Sequence, residues 1–137
     1  LKPLPPPPPP PAPERPEPAP YTAKPAAFDV PSVIEREFIG RAAQKVTALA
    51  CSEGSTATLI QLNGVLADHV HDEADEFLYV VAGEGAADVD GTAHKLYAGV
   101  LLFVPHGVTH RLSQSGRNPL MVLSTRSGSG CAGGQSP

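Results

Sequence analysis

An unbroken run of proline from Pro5 to Pro11 sits in a stretch that holds 14 of the chain's 17 prolines by residue 31. Proline fixes φ and lacks an amide donor, so Leu1 to Pro31 can neither pair inside a sheet nor continue a helix. The expectation for residues 1–31 is an extended polyproline II arm outside any packed core. Such an arm serves as a spacer to an upstream domain, a membrane anchor or a cell-wall layer. Docking into an aromatic-lined groove, or against a neighbouring subunit, is the sharper alternative. About a hundred residues remain, enough for one small core.

Beyond the arm the sequence reads in strand-length pieces. Apolar or alternating runs recur at Lys45 to Ala50, Thr56 to Leu62, Phe77 to Ala82, Ala86 to Val89, Val100 to Val104 and Leu120 to Thr125. Turn signals part them: Ser52-Glu53-Gly54-Ser55, Asn63-Gly64, Gly83-Glu84-Gly85, Asp90-Gly91, Ser115-Gly116 and Asn118-Pro119. This spacing predicts an all-β sandwich or barrel over residues 32–126. Val33 to Phe38 is the one helix candidate, with Ser32 and Glu35 as a capping box; a strand over the barrel edge fits nearly as well. Residues 127–137 read as a Gly/Ser-rich C-terminal tail.

One constellation inside the predicted barrel carries chemistry. Residues two apart on a strand point to the same side, so His69 and His71 can present two imidazoles to one ion. Glu76 follows five residues after His71, where a turn through Asp72 to Asp75 can return its carboxylate toward the pair. His110 supplies a fourth donor. Three neutral imidazoles and a carboxylate suit one divalent transition metal, Zn, Fe, Mn, Ni or Cu, and affinity alone does not choose among them. A lone histidine pair on a strand is more often a surface feature than a ligand set, so the weight rests on the four donors together.

Gly64, His69, His71, Glu76 and Gly83, followed by Gly99, Pro105, Gly107 and His110, resemble the two motifs of the cupin family. Gly64 stands one residue nearer His69 than the common spacing, and Gln114 takes the place of the usual asparagine. Neither departure removes a ligand. The resemblance implies a single jelly-roll β-barrel with a metal held inside by His69, His71, Glu76 and His110. It also implies dioxygenase, isomerase or decarboxylase type chemistry on a small oxygen-rich molecule, and homodimers formed through sheet edges. Some members of the family use the barrel without metal, as a binding or scaffold module.

The remaining polar residues read as structural. His94 follows the Asp90-Gly91 turn and His106 sits in the Pro-x-Gly turn, both surface loop positions. Arg111 has the opposite strand parity to His110 and suits a surface salt bridge, whereas Leu112 and Gln114 share the His110 face. Gln114 can touch a ligand or a metal-bound water, and a structural hydrogen bond explains it at least as well. Tyr79 has the opposite parity to Glu76, which argues against a general acid inside the barrel unless the strand bulges. No second acid-base residue stands out.

A net charge of -4 leaves no basic surface for nucleic acid, and there is no phosphate-cradling Gly-Lys-Ser/Thr loop. No apolar run is long enough for a transmembrane segment. Cys51 and Cys131 lie at the domain's margins, where a disulfide in an oxidising compartment and two free thiols are evenly balanced. A nucleophilic role is disfavoured because no histidine neighbours either in sequence. The Pro-rich spacer, the two cysteines and a chain that begins at Leu1 point to an exported, extracytoplasmic protein. Two functions follow: a metal-dependent enzyme acting on a small oxygen-rich molecule, or a non-catalytic module of an extracytoplasmic assembly, tethered or packed through its arm. An enzyme needs a site facing a polar pocket, whereas a structural site is packed over by Leu, Val and Phe.

Overall fold

The alternation along the sequence resolves into two antiparallel sheets whose apolar faces meet. The computed structural model describes residues 2–11, 24–70, 74–128 and 130–131, and for 67–69 the backbone alone. Among them one helix, α1 (Val30–Arg36), precedes β1 (Gln44–Cys51), β2 (Ser55–Leu62), β3 (Val65–His69), β4 (Asp75–Ala82), β5 (Glu84–Val89), β6 (Thr92–Tyr97), β7 (Leu101–Val104), β8 (His110–Ser115) and β9 (Leu120–Ser127). One sheet is ordered β1-β2-β9-β4-β7 and the other β3-β8-β5-β6. The chain passes back and forth between them, which is the expected jelly-roll barrel.

The six sequence runs become β1, β2, β4, β5, β7 and β9. β6 carried no such signal: it is an edge strand that buries Leu96 alone, so its residues show no apolar alternation. His94 therefore stands on a strand rather than in a loop, still exposed. The Asp90-Gly91 turn forms as expected, with Gly91 N–H donating to Asp88 Oδ1 at 3.0 Å. Gly83, at φ +84°, turns β4 into β5 so close to Pro119 that a Cβ would overlap that residue's carbonyl. Glycine alone fits there.

Side chains on the inward parity fill the barrel unevenly along its length. Ile60 and Leu62 of β2, Leu78 and Val80 of β4, and Leu120 and Val122 of β9 meet Leu96, Leu102 and Leu112 in one apolar cluster. Each such side chain contributes about 1.5–3 kcal/mol by leaving water. Followed toward the other end, the same parity gives Thr56, Thr58, Glu76, His110, Ser124 and Arg126, all buried. One end of the core is hydrocarbon, and at the other polar groups are buried together with Val104.

The outer face of the five-stranded sheet is partly covered by residues 37–42. Gln61, fully buried on that face, donates from Nε2 to the Glu37 carbonyl at 2.9 Å and accepts from Ile39 N–H at 3.1 Å. Asn63 Nδ2 donates to the carbonyls of Gly40 and Ala42. α1 starts before the expected helix. Asp29 caps it, accepting from Ser32 N–H at 3.2 Å, with Pro31 in the first turn. The capping box of Ser32 and Glu35 gives way because an Asp cap followed two residues later by a first-turn proline satisfies the same helix start three residues earlier.

Residues 2–11 of the arm are exposed and carry no helix or strand. The rest of the proline stretch, 12–23, and the tail end, 132–137, lie outside the described residues. Cys51 and Cys131 form a disulfide with Cα atoms 5.2 Å apart, so neither is a free thiol. Around it, Cys131 N–H donates to Ser52 O and Gly128 N–H to Gly54 O, at 3.0 and 2.9 Å. The start of the tail is thereby fixed to the β1–β2 turn.

Candidate functional site

β4 and β8 belong to opposite sheets, so the inward residues at their starts face each other across the barrel. Glu76 Oε1 lies 3.1 Å from His110 Nε2, and both side chains are buried. His110 Nδ1 lies 3.1 Å from the Val108 carbonyl. A carbonyl only accepts, so Nδ1 carries a proton. In a neutral ring Nε2 then offers a lone pair to a carboxylate oxygen, and two acceptors at that distance require a cation between them. A proton or a metal ion meets the need. An imidazole whose second nitrogen donates to a backbone carbonyl is also the usual setting of a metal-bound histidine.

The second carboxylate oxygen is held by β9. Ser124 Oγ donates to Glu76 Oε2 at 2.6 Å, and Arg126 Nε lies 3.5 Å from the same atom. Register explains the meeting: Arg126 stands opposite Glu76 on one side and Thr56 on the other, while Ser124 stands opposite Leu78 and Thr58. The Thr58 hydroxyl is buried with no hydrogen-bond partner among the described residues. Burial pulls the His110 ring down, but the Glu76 carboxylate and the Val108 carbonyl more than reverse this and hold it above its ordinary value. Burial also lowers Arg126, against the pull of Glu76, although a guanidinium stays charged in a protein.

Of the other expected ligands, His69 ends β3 as the register partner of His110, and its side chain lies outside the description. His71 lies outside the described residues altogether. Among the described residues no three His, Cys, Asp or Glu side chains converge; Glu76 and His110 meet as a pair. Gln114 is structural: its Nε2 lies within 3.2, 2.8 and 2.9 Å of the carbonyls of Ser115, Gly116 and Asn118, tying the β8–β9 turn to itself. Tyr79 points outward, and Arg111 is exposed opposite Asp88.

His106 clamps the start of β4. Its backbone N–H and Nδ1 both lie 2.9 Å from Asp75 Oδ1, beside the metal-ligand candidate Glu76. The backbone donor first, and the ring second, hold the Asp75 carboxyl below its ordinary value. A lowered carboxylate stabilises the fold above its unfolded titration range and loses that effect as pH falls through the folded value. Carbon-detected NMR titration should therefore find Asp75 depressed in the wild type and still partly depressed in His106→Ala, which keeps the backbone donor. Full return to the ordinary value in His106→Ala would show that the ring alone is responsible.

Sequence reasoning missed Ser124, Arg126 and Thr58. Strand parity carried the signal: 120 and 122 are apolar and inward, so 124 and 126 are polar residues at core positions, and Thr56 and Thr58 stand likewise before Ile60 and Leu62.

A cupin-domain family model matches residues 58–126, half of the chain. Over 96 residues the sequence is 32% identical to protein SchB of Streptomyces halstedii, covering 69% of this chain and 70% of that protein. The solved structure of BH2720 from Bacillus halodurans is similar with a TM-score of 0.68 at 20% identity, over 86% of this chain and 88% of its own. An RmlC-like cupin from Shewanella frigidimarina gives 0.59 at 29% identity, over 68% and 82%. The matched segment contains both motifs, from Gly64 to His110, and builds eight of the nine strands of the barrel; the chain belongs to the cupin family.

Proposed function

We propose that this cupin domain holds one divalent transition metal inside its barrel and uses the site to bind or transform a small oxygen-rich molecule. Two acceptors, Glu76 Oε1 and His110 Nε2, meet at 3.1 Å at the polar end of the core, and this carries the proposal. Both atoms are within reach of one ion at bond lengths of about 2.0–2.2 Å. His69, the register partner of His110, and His71 complete the ligand set. When bound, a metal of this kind supplies Lewis acidity or O2 activation, which serves dioxygenase, isomerase or decarboxylase type reactions. Ser124 and Arg126 fix Glu76 Oε2 and so aim Oε1 at His110, while Val108 sets the His110 tautomer. Beside the valines Val104 and Val89, the Ser124 hydroxyl and the Arg126 guanidinium meet the pair at Glu76, and these polar groups favour a working site over a purely structural one.

Plasma mass spectrometry on untagged protein should find near-stoichiometric metal in the wild type and little in His71→Ala or His110→Ala. Iron would direct the search toward O2 use, manganese toward decarboxylation or oxidation, and zinc or nickel toward isomerisation or structure. A wild type that takes up no metal on reconstitution would overturn the proposal.

A homodimer in an oxidising, extracytoplasmic setting belongs to the same proposal, with the arm reaching an upstream domain or a neighbouring subunit. The disulfide supports the compartment. Support for the dimer comes from β4 and the edge strand β7, whose outer faces leave Phe77, Tyr79, Leu101 and Phe103 between 43% and 61% exposed. Phe77 and Phe103 stack across the strands at 4.8 Å between ring centres. A contiguous apolar patch of this kind marks an interaction surface. Sedimentation should give a dimer mass for the wild type and a monomer mass for Phe77→Asp/Phe103→Asp; an unchanged mass in the double variant would exclude this face.

A further inference from the structure

Arg126 is a cation inside the barrel with few polar contacts among the described residues. Its side chain is 5% exposed and carries five N–H donors. Among the described residues its one polar contact is with Glu76 Oε2, through Nε at 3.5 Å. That single contact leaves the other guanidinium donors to a further partner. The Thr58 hydroxyl, 2% exposed, is also without a partner among the described residues. Because Arg126 pairs with Thr56 and Ser124 with Thr58, Thr58 and Arg126 are diagonal neighbours on the inward face of adjacent strands. A cation and a hydroxyl thus share one interior patch in which, among the described residues, Glu76 Oε2 is the one acceptor that reaches either.

The complementary group is anionic and planar with two oxygens, since a guanidinium fork matches a carboxylate bidentately. Charge selects it over phosphate. Glu76 already offsets Arg126, and a dianion would set two further negative charges beside that carboxylate, whereas one carboxylate leaves the cluster near balance.

We infer that Arg126, assisted by the Thr58 hydroxyl, anchors the carboxylate of a small carboxylic acid bound inside the barrel. Glu76 holds the Nε side of the guanidinium and leaves its remaining donors to the ligand, whose other oxygens face Glu76 and His110. The inference rests on the barrel interior being the ligand site proposed above, and it names the class of molecule that site takes.

The test is a titration of the full chain followed in 1H–15N correlation spectra, with glycolate, its neutral counterpart glycolamide, and inorganic phosphate. It is run on metal-free and metal-loaded protein, with metal content measured on the same samples. Glycolate should bind saturably and more tightly than the other two. Arg126→Met should weaken it about tenfold or more, and Arg126→Lys should restore part of the loss. Thr58→Val should weaken it about threefold while leaving the fold unaltered, because the hydroxyl it removes has no partner; it keeps the test decisive if Arg126→Met fails to fold. Glycolate binding that survives both Arg126→Lys and Thr58→Val unchanged would overturn the anchor. So would a wild type that ignores glycolate in both metal states, or one that binds glycolamide or phosphate as tightly. A wild type empty of metal that still binds glycolate through Arg126 removes the metal and keeps the anchor, and a metal-loaded wild type that ignores glycolate does the reverse.

Discussion

Replacing Cys51 and Cys131 together by alanine should cost about 4.5 kcal/mol of folding stability, the value that loop-closure entropy gives for a bridge of this span. The two residues are 80 apart in sequence, so the bond encloses β2 through β9. A domain of this size has a total of about 5–15 kcal/mol, and at about 4–8 °C per kcal/mol the melting temperature should fall by about 20 °C. The placement of the bridge matters as much as its span. Cys51 pairs with Thr56, and Thr56 with Arg126, so the bond closes the end of the barrel whose interior is polar. That end buries few methylene groups and gains little from the hydrophobic effect. Urea unfolding of the wild type, the double variant and Cys131→Ala alone checks this. The single and double variants should lose equal amounts, and a loss below about 1 kcal/mol would mean that the bridge does not restrict the unfolded chain.

Sequence and structure agree where local physics dominates. The six strand runs, the Asp90-Gly91 turn and the outward Tyr79 follow from alternation and turn chemistry that one strand carries by itself. β6 escaped because an edge strand needs no second apolar face. The helix start moved from Ser32 to Asp29 because two caps compete within three residues and sequence does not weigh them. Cys51 and Cys131 stood at even odds since pairing depends on a fold that brings positions 80 apart together. Glu76 and His110 were both named as ligands, and the structure brings them to 3.1 Å from opposite sheets. Ser124 and Arg126 reach Glu76 through the β4–β9 register, a long-range pairing that no local pattern states.

The second large effect is expected at that pair. In metal-free protein Glu76→Ala should cost about 3–5 kcal/mol, because it leaves the buried Arg126 charge without its counter-charge. Arg126→Met should cost less. A carboxyl group left alone can take up a proton and become neutral, whereas a guanidinium cannot release one; Ser124 also continues to donate to Glu76. Glu76→Leu/Arg126→Met should recover most of the loss, since well-packed apolar residues often replace a buried ion pair at little cost. Denaturant unfolding of the wild type, Glu76→Leu, Arg126→Met and their double variant closes a cycle that gives the coupling directly, and additive single costs would show that the two charges do not depend on each other. Metal content then separates the two roles of the pair. A stable apolar double variant that holds no metal would mean that the barrel keeps these charges for its site. If that variant is as unstable as Glu76→Ala, the charges are needed by the fold itself, and the polar end of the core is structural first.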